Sequence, residues 1–374
     1  MSEFNLPISP PRAWVEIDIP ALLRNLSYTR EASGCGVMAV VKAGAYGHGL
    51  EEIAKALASE AVEFLGVANI GEARRIREAD VESRVYLLGA TWEDEREEIV
   101  ARNITPCIST VEEGIAFNNI AGRRGVKLPV HIAVDTGMGR GGFLPNGIEA
   151  NVALLEDLQN LNIEGIASHL SSADEDEGFT RLQIASFEET VRRLGGSDRF
   201  RWRHLSNSSG ILGYPQGCCN LARPGLMLYG VSPLPGHQEK LDNVMTLKSR
   251  VTLVRSVPAG HCISYGRSFV TTKPTKIATI GIGYGDGYPR QVSGKAANAF
   301  IRGKRHPIVG RVTMDQLVVA LPDDTDVKSG DEVELFGSNI PVAEVAALAN
   351  TIVWDVFTGI TPRVQRIHLR TSPK

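Results

Sequence analysis

Cysteine is scarce in this chain: five of 374 residues, at positions 35, 107, 218, 219 and 262, with no Cys-x-x-Cys pair. That scatter excludes a disulfide framework and fits reduced thiols in a cytoplasmic protein, and no metal site is expected. A surplus of either charge is also missing. The formal net charge of -3 leaves no electrostatic footprint for nucleic acid or for an anionic membrane surface. No apolar run approaches membrane-span length, and no repeat of fixed period or low-complexity tract is present. Residues 1–12 hold an acidic Glu3 and several prolines but no basic segment leading into an apolar one, so a signal peptide is not expected.

The length suggests two domains. From about residue 37 to 230, eight short apolar runs alternate with stretches of helical spacing: 37–41, 64–68, 85–88, 105–108, 130–134, 163–167, 201–205 and 226–229. Between them, helices are expected at 50–58, 72–79, 93–101, 111–120, 151–158 and 181–194. This predicts an N-terminal eight-stranded (β/α)8 barrel, with an open doubly wound sheet as the alternative. Polar residues following the ends of several different strands suit the C-terminal face of a barrel. Beyond residue 244 the runs become β-rich and are separated by Gly and Pro turns, predicting a C-terminal, mostly β domain. The expected division is 1–244 and 245–374, with residues 12–19 a candidate strand for the β domain.

Chemistry-bearing residues cluster where predicted strands end. In Ala39-Val40-Val41-Lys42-Ala43-Gly44-Ala45-Tyr46-Gly47-His48-Gly49, a lone lysine stands at the mouth of a Gly-rich turn. By itself such a lysine more often snorkels into water. Partly desolvated, its amine loses charge more readily, and a neutral amine forms a Schiff base with an aldehyde. Asp135-Thr136-Gly137-Met138-Gly139-Arg140 sets a guanidinium, suited to a carboxylate, on a loop after the fifth strand. Gly137 to Gly142 also reads Gly-x-Gly-x-x-Gly, but a dinucleotide site would need it in a first βαβ unit. His169 follows the sixth strand, and His204-Leu205-Ser206-Asn207-Ser208 the seventh. Histidines there are more often structural, and Asn-Ser-Ser is most often a helix cap, although a Ser hydroxyl at a helix start also suits phosphate. Arg223-Pro224-Gly225-Leu226, Ser264-Tyr265-Gly266, Gly283-Tyr284-Gly285-Asp286 and Thr313-Met314-Asp315 complete the set.

Together these motifs resemble the alanine racemase family in order and spacing from about residue 12 to 369. Fold-type III amino-acid decarboxylases and single-domain pyridoxal phosphate-binding proteins share the barrel and the lysine, but not the β-domain motifs. The resemblance implies pyridoxal 5'-phosphate as cofactor, L- and D-alanine as substrates, and a homodimer with shared active sites supplying D-alanine for peptidoglycan. It implies two bases: Lys42, carrying the cofactor as a Schiff base, and Tyr265 of the partner subunit on the opposite face of Cα. It places Arg223 at the pyridine nitrogen, where a guanidinium that keeps its proton discourages transamination, and His169 between Arg223 and the tyrosine. Tyr46, Ser208, Gly225 and Leu226 match the phosphate cradle, and Asn207 is counted with the cofactor-binding residues. Arg140 and Met314, with Asp315 beside them, match the substrate-carboxylate site. Tyr284 matches an entrance gate.

Three departures stand out. Ala133 replaces a lysine that many relatives carry as a carbamate beside the arginine, so chloride or ordered water is expected next to Arg140. Gly44 replaces the usual Asn or Asp and is expected to loosen the lysine turn. The tyrosine expected near Pro362-Arg363-Val364 is missing, which points to a wider substrate range, serine included. A noncatalytic pyridoxal phosphate-binding protein remains the alternative from another class, and Tyr265 is what it would have no reason to keep.

Overall fold

The computed structural model describes residues 10–371. They fall into two compact units, Ile19–Asp242 and the described residues on either side of it.

In the first unit, parallel strands alternate with helices. Gly36–Val40 pairs with Phe64–Val67, which pairs with Val85–Leu87; Cys107–Ile108, Leu128–Ala133, Leu161–Ala167 and Trp202–His204 pair in succession. The ring closes at three seams. A bridge joins Tyr86 to Thr105, Leu221–Ala222 pairs with Gly36 and Val37, and Asn220 N–H donates to the Arg203 carbonyl at 3.0 Å. A cluster of Met38, Phe64, Tyr86, Cys107 and Leu221 fills the interior, so the barrel is a packed core and not a pore.

Two elements differ from the sequence expectation. The eighth strand is Leu221–Ala222, whereas Leu226–Tyr229 is a buried 3-10 turn. Pro224, which has no N–H for a ladder, and Gly225 at φ -118° and ψ -91° end the strand before the apolar run begins. A helix at Ile19–Ser33 was not foreseen; it buries Ile19, Leu22, Leu26 and Thr29, one face at helical spacing. The expected helices are present with shifted ends, for example Val111–Arg123 and Glu177–Arg193.

The second unit is an eight-stranded sheet whose thirteen-residue strand Met245–Val257 pairs with Ala13–Asp18, Glu332–Phe336 and Thr275–Ile280. A register shift between Val251 and Leu253 lets that strand bend from one set of partners to the other. Ala13–Asp18 lies between Met245–Val257 and the parallel terminal strand Gln365–Leu369. The strand Lys304–Val309 ends there because Gly310 turns with φ at +73°. Helix Val342–Ala349 is followed by a second helix, Val353–Thr358, that the sequence reading omitted. No helix among the described residues is long and apolar enough to cross a membrane.

Candidate active site

Lys42 opens a turn of unusual hand. Ala43, Gly44 and Ala45 have φ/ψ of 53/47°, 63/40° and 55/52°, and Tyr46 follows with φ of 53°. Successive L-residues in this region cost roughly 1–2 kcal/mol each, so the surroundings must hold the turn. Glu72 does so: its two carboxylate oxygens accept from Ala43 N–H at 2.5 Å and from Ala68 N–H at 2.9 Å. His48, fully buried, donates from Nδ1 to the carbonyls of Ala45 and Tyr46 at 3.0 and 2.9 Å. Gly44 therefore eases this turn instead of loosening it, because glycine alone adopts its φ of +63° without strain. Lys42 is half-buried, and its amine is held below the usual lysine range by burial and then by Arg140, with Glu72 opposing.

Opposite the turn, Ser208 Oγ accepts from the backbone N–H of Gly225 and Met227 at 3.0 and 3.3 Å, tying the loop after the eighth strand to the loop after the seventh. Tyr46 stacks on Tyr229 at 4.7 Å, and Tyr229 donates its hydroxyl to the Val40 carbonyl at 2.9 Å. Burial pushes the Tyr46 phenol up to about 12, so it stays a donor. A Cβ on Gly225 would come within 2.4 Å of Tyr46 Oη, so this close approach requires glycine. Leu226 begins the following 3-10 turn. Asn207 is spent locally as a cap: Oδ1 accepts from Gly210 N–H at 3.0 Å, and Nδ2 donates to the Leu170 carbonyl at 3.3 Å.

Arg223 is 5% exposed, and both of its terminal nitrogens are engaged. It donates to the carbonyls of Ser168 and Leu205 at 2.5 and 3.0 Å, to His169 Nδ1 at 3.0 Å and to His204 Nδ1 at 2.6 Å. Burial, then Arg223 and Arg140, hold His169 down at about 3, so it is a neutral imidazole whose proton sits on Nε2. Arg140 is exposed on its loop, which Asp135 closes by accepting from Gly137 and Gly139 N–H at 3.0 Å each. Among the described residues no carboxylate pairs with Arg140, and Ala133 packs against the apolar cluster.

The buried histidines have a consequence for stability. Burial holds His131 and His204 below the ordinary imidazole range, as it does His169. The unfolded chain takes up these protons near pH 6.5 and the folded chain does not, so stability rises with pH across that window. A histidine that stays neutral in the folded chain removes up to about 1.4 kcal/mol per pH unit below about 6.5. The melting temperature is expected to fall as the pH drops from about 6.5 to about 5.5, and less steeply in His169→Gln. A flat melting profile over that interval would contradict neutral burial.

In the β-rich unit, Tyr265 sits on a strained loop between the short paired strands Cys262–Ile263 and Phe269–Val270. Ser264, Gly266 and Arg267 have φ of 63°, 71° and 51° around it, and its side chain is 69% exposed. Ser264 Oγ donates to the Arg311 carbonyl at 2.6 Å. Tyr284 and Met314 lie together, because Tyr284 N–H donates to the Thr313 carbonyl at 3.0 Å and Gly285 N–H to the Met314 carbonyl at 2.8 Å. Asp315 uses its carboxylate on Arg363 at 2.7 Å, an arginine that also reaches buried Asp286 at 3.3 Å. Tyr265, Tyr284, Met314 and Asp315 thus form one loop cluster in this unit, while the other expected residues belong to the barrel unit.

Sequence reading missed Glu72, Tyr229, His131, His204 as a partner of Arg223, and Glu164. A signal for Glu72 was present. Asn69 and Glu72 have the Asn-x-x-Glu spacing of a helix start, and Asn69 caps that helix. The carboxylate reaches beyond the helix to the lysine turn, which spacing alone does not show.

A parallel barrel that presents a desolvated amine, a hydroxyl-and-glycine cradle and a buried guanidinium at the ends of its strands defines a lysine-dependent enzyme for a phosphorylated carbonyl compound. The profile of the alanine racemase N-terminal domain matches residues 17–233, and that of the alanine racemase C-terminal domain matches 244–368. The chain belongs to the alanine racemase family. It is 38% identical over 366 residues to the alanine racemase of Carboxydothermus hydrogenoformans, covering 95% of this chain and 99% of that one. It is also 38% identical over 374 residues to that of Geobacter sp. strain M21, covering 95% and 98%. Among solved structures, alanine racemase from Clostridium difficile 630 superposes with a TM-score of 0.91 at 33% identity over 97% of both chains. The Bartonella henselae alanine racemase with covalently bound pyridoxal phosphate gives 0.88 at 30% identity over 96% of this chain and all (100%) of that one.

Proposed function

We propose that this chain is a pyridoxal phosphate-dependent alanine racemase that interconverts L- and D-alanine. The observation that carries this reading is the meeting of Lys42, the Ser208–Gly225–Tyr46 cradle and Arg223 at one barrel mouth, in a chain of this family.

The residues fit the cofactor. The depressed amine of Lys42 suits attachment to an aldehyde, the protonated phenol of Tyr46 suits a phosphate, and the fixed guanidinium of Arg223 suits the ring nitrogen. When bound, pyridoxal phosphate supplies the electron sink that lets the α-proton of alanine leave. Lys42 Nζ moves that proton on one face of Cα, and Tyr265 of the partner subunit moves it on the other. His169, with its proton on Nε2, is oriented by Arg223 toward supporting that tyrosine. Arg140 and Met314 hold the substrate carboxylate, and Tyr284 gates its entry. The exposed loop cluster around Tyr265 supports a homodimer in which each chain completes its partner's site. Five free cysteines support a cytoplasmic location, where D-alanine would feed peptidoglycan synthesis.

Proton NMR of the protein with pyridoxal phosphate and L-alanine in deuterated water, run beside polarimetry, tests the function. Loss of the α-proton signal with decay of rotation to zero is expected. Unchanged alanine with attached cofactor would mark a carrier, and equal turnover of serine would mark a broader racemase. The cradle has its own test. Gly225→Ala should drive Tyr46 aside and cost about 1–3 kcal/mol, weakening cofactor binding tenfold or more in an apoprotein titration. Unaltered affinity would remove Gly225 from the cradle.

A further inference from the structure

The guanidinium of Arg223 is buried, yet every hydrogen bond it makes among the described residues ends on a neutral acceptor. A carboxylate lies further down the barrel, at the end of a chain of contacts that begins at Arg223. A guanidinium can only donate, so His204 Nδ1 accepts at 2.6 Å and the His204 proton must sit on Nε2. That Nε2–H donates to His131 Nδ1 at 2.7 Å, which fixes the proton of His131 on its own Nε2. His131 Nε2 in turn faces Glu164 Oε1 at 3.5 Å, an electrostatic contact longer than a hydrogen bond. Glu164 also receives Arg84, which enters from the N-terminal end of the third barrel strand. Although burial works the other way, His131 and Arg84 together hold the Glu164 carboxyl below its ordinary range.

The route is built into the packing. Both imidazoles are fully buried, and Tyr86 walls them at 4.9 and 5.3 Å between ring centres. Gly165, paired in register with His131, leaves the space the ring needs: a Cβ there would lie 2.5 Å from the imidazole Cγ. Apolar side chains would fill this interior at lower cost than two imidazoles and an ion pair. In so dry a path a carboxylate polarises the whole chain of donors.

We propose that Glu164 is a positioning residue: facing the last Nε2–H of the relay whose tautomers Arg223 sets, it supplies the remote negative charge that balances and aims the guanidinium. The proposal rests on the reading that Arg223 serves the cofactor ring nitrogen. A guanidinium that is no longer aimed would let more turnovers end in transfer of the amino group to the cofactor, with release of pyruvate.

The test compares three variants. Glu164→Gln and Arg84→Met break the same ion pair, whereas His131→Asn interrupts the chain and leaves that pair intact. Nitrogen NMR of histidine-labelled protein, with and without cofactor, reports the His204 tautomer independently of racemisation. Glu164→Gln and His131→Asn should both shift the His204 Nδ1 resonance, which reads its bond from Arg223, while the proton stays on Nε2. Both should raise the fraction of turnovers yielding pyruvate on the order of tenfold, the scale typical of groups that orient a ligand from behind. Arg84→Met should keep the His204 signal and the wild-type fraction. If Glu164→Gln and Arg84→Met behave alike, the ion pair is only structural and the proposal fails. If Glu164→Gln does not fold, an unchanged His204 signal in His131→Asn overturns it equally. Absence of racemisation by the wild-type protein would instead overturn the function while leaving the His204 resonance result standing.

Discussion

Lys42→Ala should abolish cofactor attachment and reduce racemisation by at least about 10⁴-fold, since on the proposed function it removes both the Schiff-base amine and one of two proton carriers. The expectation rests on how the residue is held. Lys42 follows the strand Gly36–Val40 and enters a left-handed turn that Glu72 and His48 clamp, so its Nζ is delivered to one place at the barrel mouth. Burial and the nearby Arg140 keep its amine below the usual range, which favours the neutral, nucleophilic form. Borohydride reduction followed by mass spectrometry checks this directly. Wild-type protein should carry the cofactor mass on the peptide containing Lys42, and Lys42→Ala should carry none. An adduct at another lysine with activity retained would show that the turn serves some other purpose.

Tyr265→Ala has the next largest expected effect and separates binding from turnover. The cofactor should attach as in wild type, because every cradle residue belongs to the barrel unit. The racemisation rate should fall by about 10²–10⁴-fold, the usual contribution of a positioned acid or base. The loss should be greater for L-alanine than for D-alanine, since the family resemblance assigns the L side to the tyrosine. Initial α-proton exchange measured separately for each enantiomer reads this asymmetry. Full racemisation by Tyr265→Ala would sink the two-base reading.

Much of this was legible in the residues. Short β-branched runs alternating with amphipathic stretches announced the parallel barrel, and glycines around Lys42, Arg140, Tyr265 and Tyr284 marked the loops. The misses have physical causes. Leu226–Tyr229 is as apolar as a strand, and only the preceding Pro224-Gly225 break shows that the ladder has already ended. The left-handed turn depends on Glu72, a contact made across the fold, because no local propensity favours alanine at φ near +55°. Arg223, His204, His131 and Glu164 come from four different strand ends or interiors. Each reads alone as a polar residue in an apolar run, and only the closed barrel aligns them.

Mixing inactive partners tests the central claim most directly: Lys42 of one chain works with Tyr265 of the other. Lys42→Ala and Tyr265→Ala chains should each be inactive alone. Unfolded together in equal amounts and refolded, half of the dimers should be hybrids with one intact site, restoring about a quarter of wild-type racemase activity. Activity that stays at the level of the separate variants, in a mixture shown to contain hybrids with bound cofactor, would contradict a site shared between subunits.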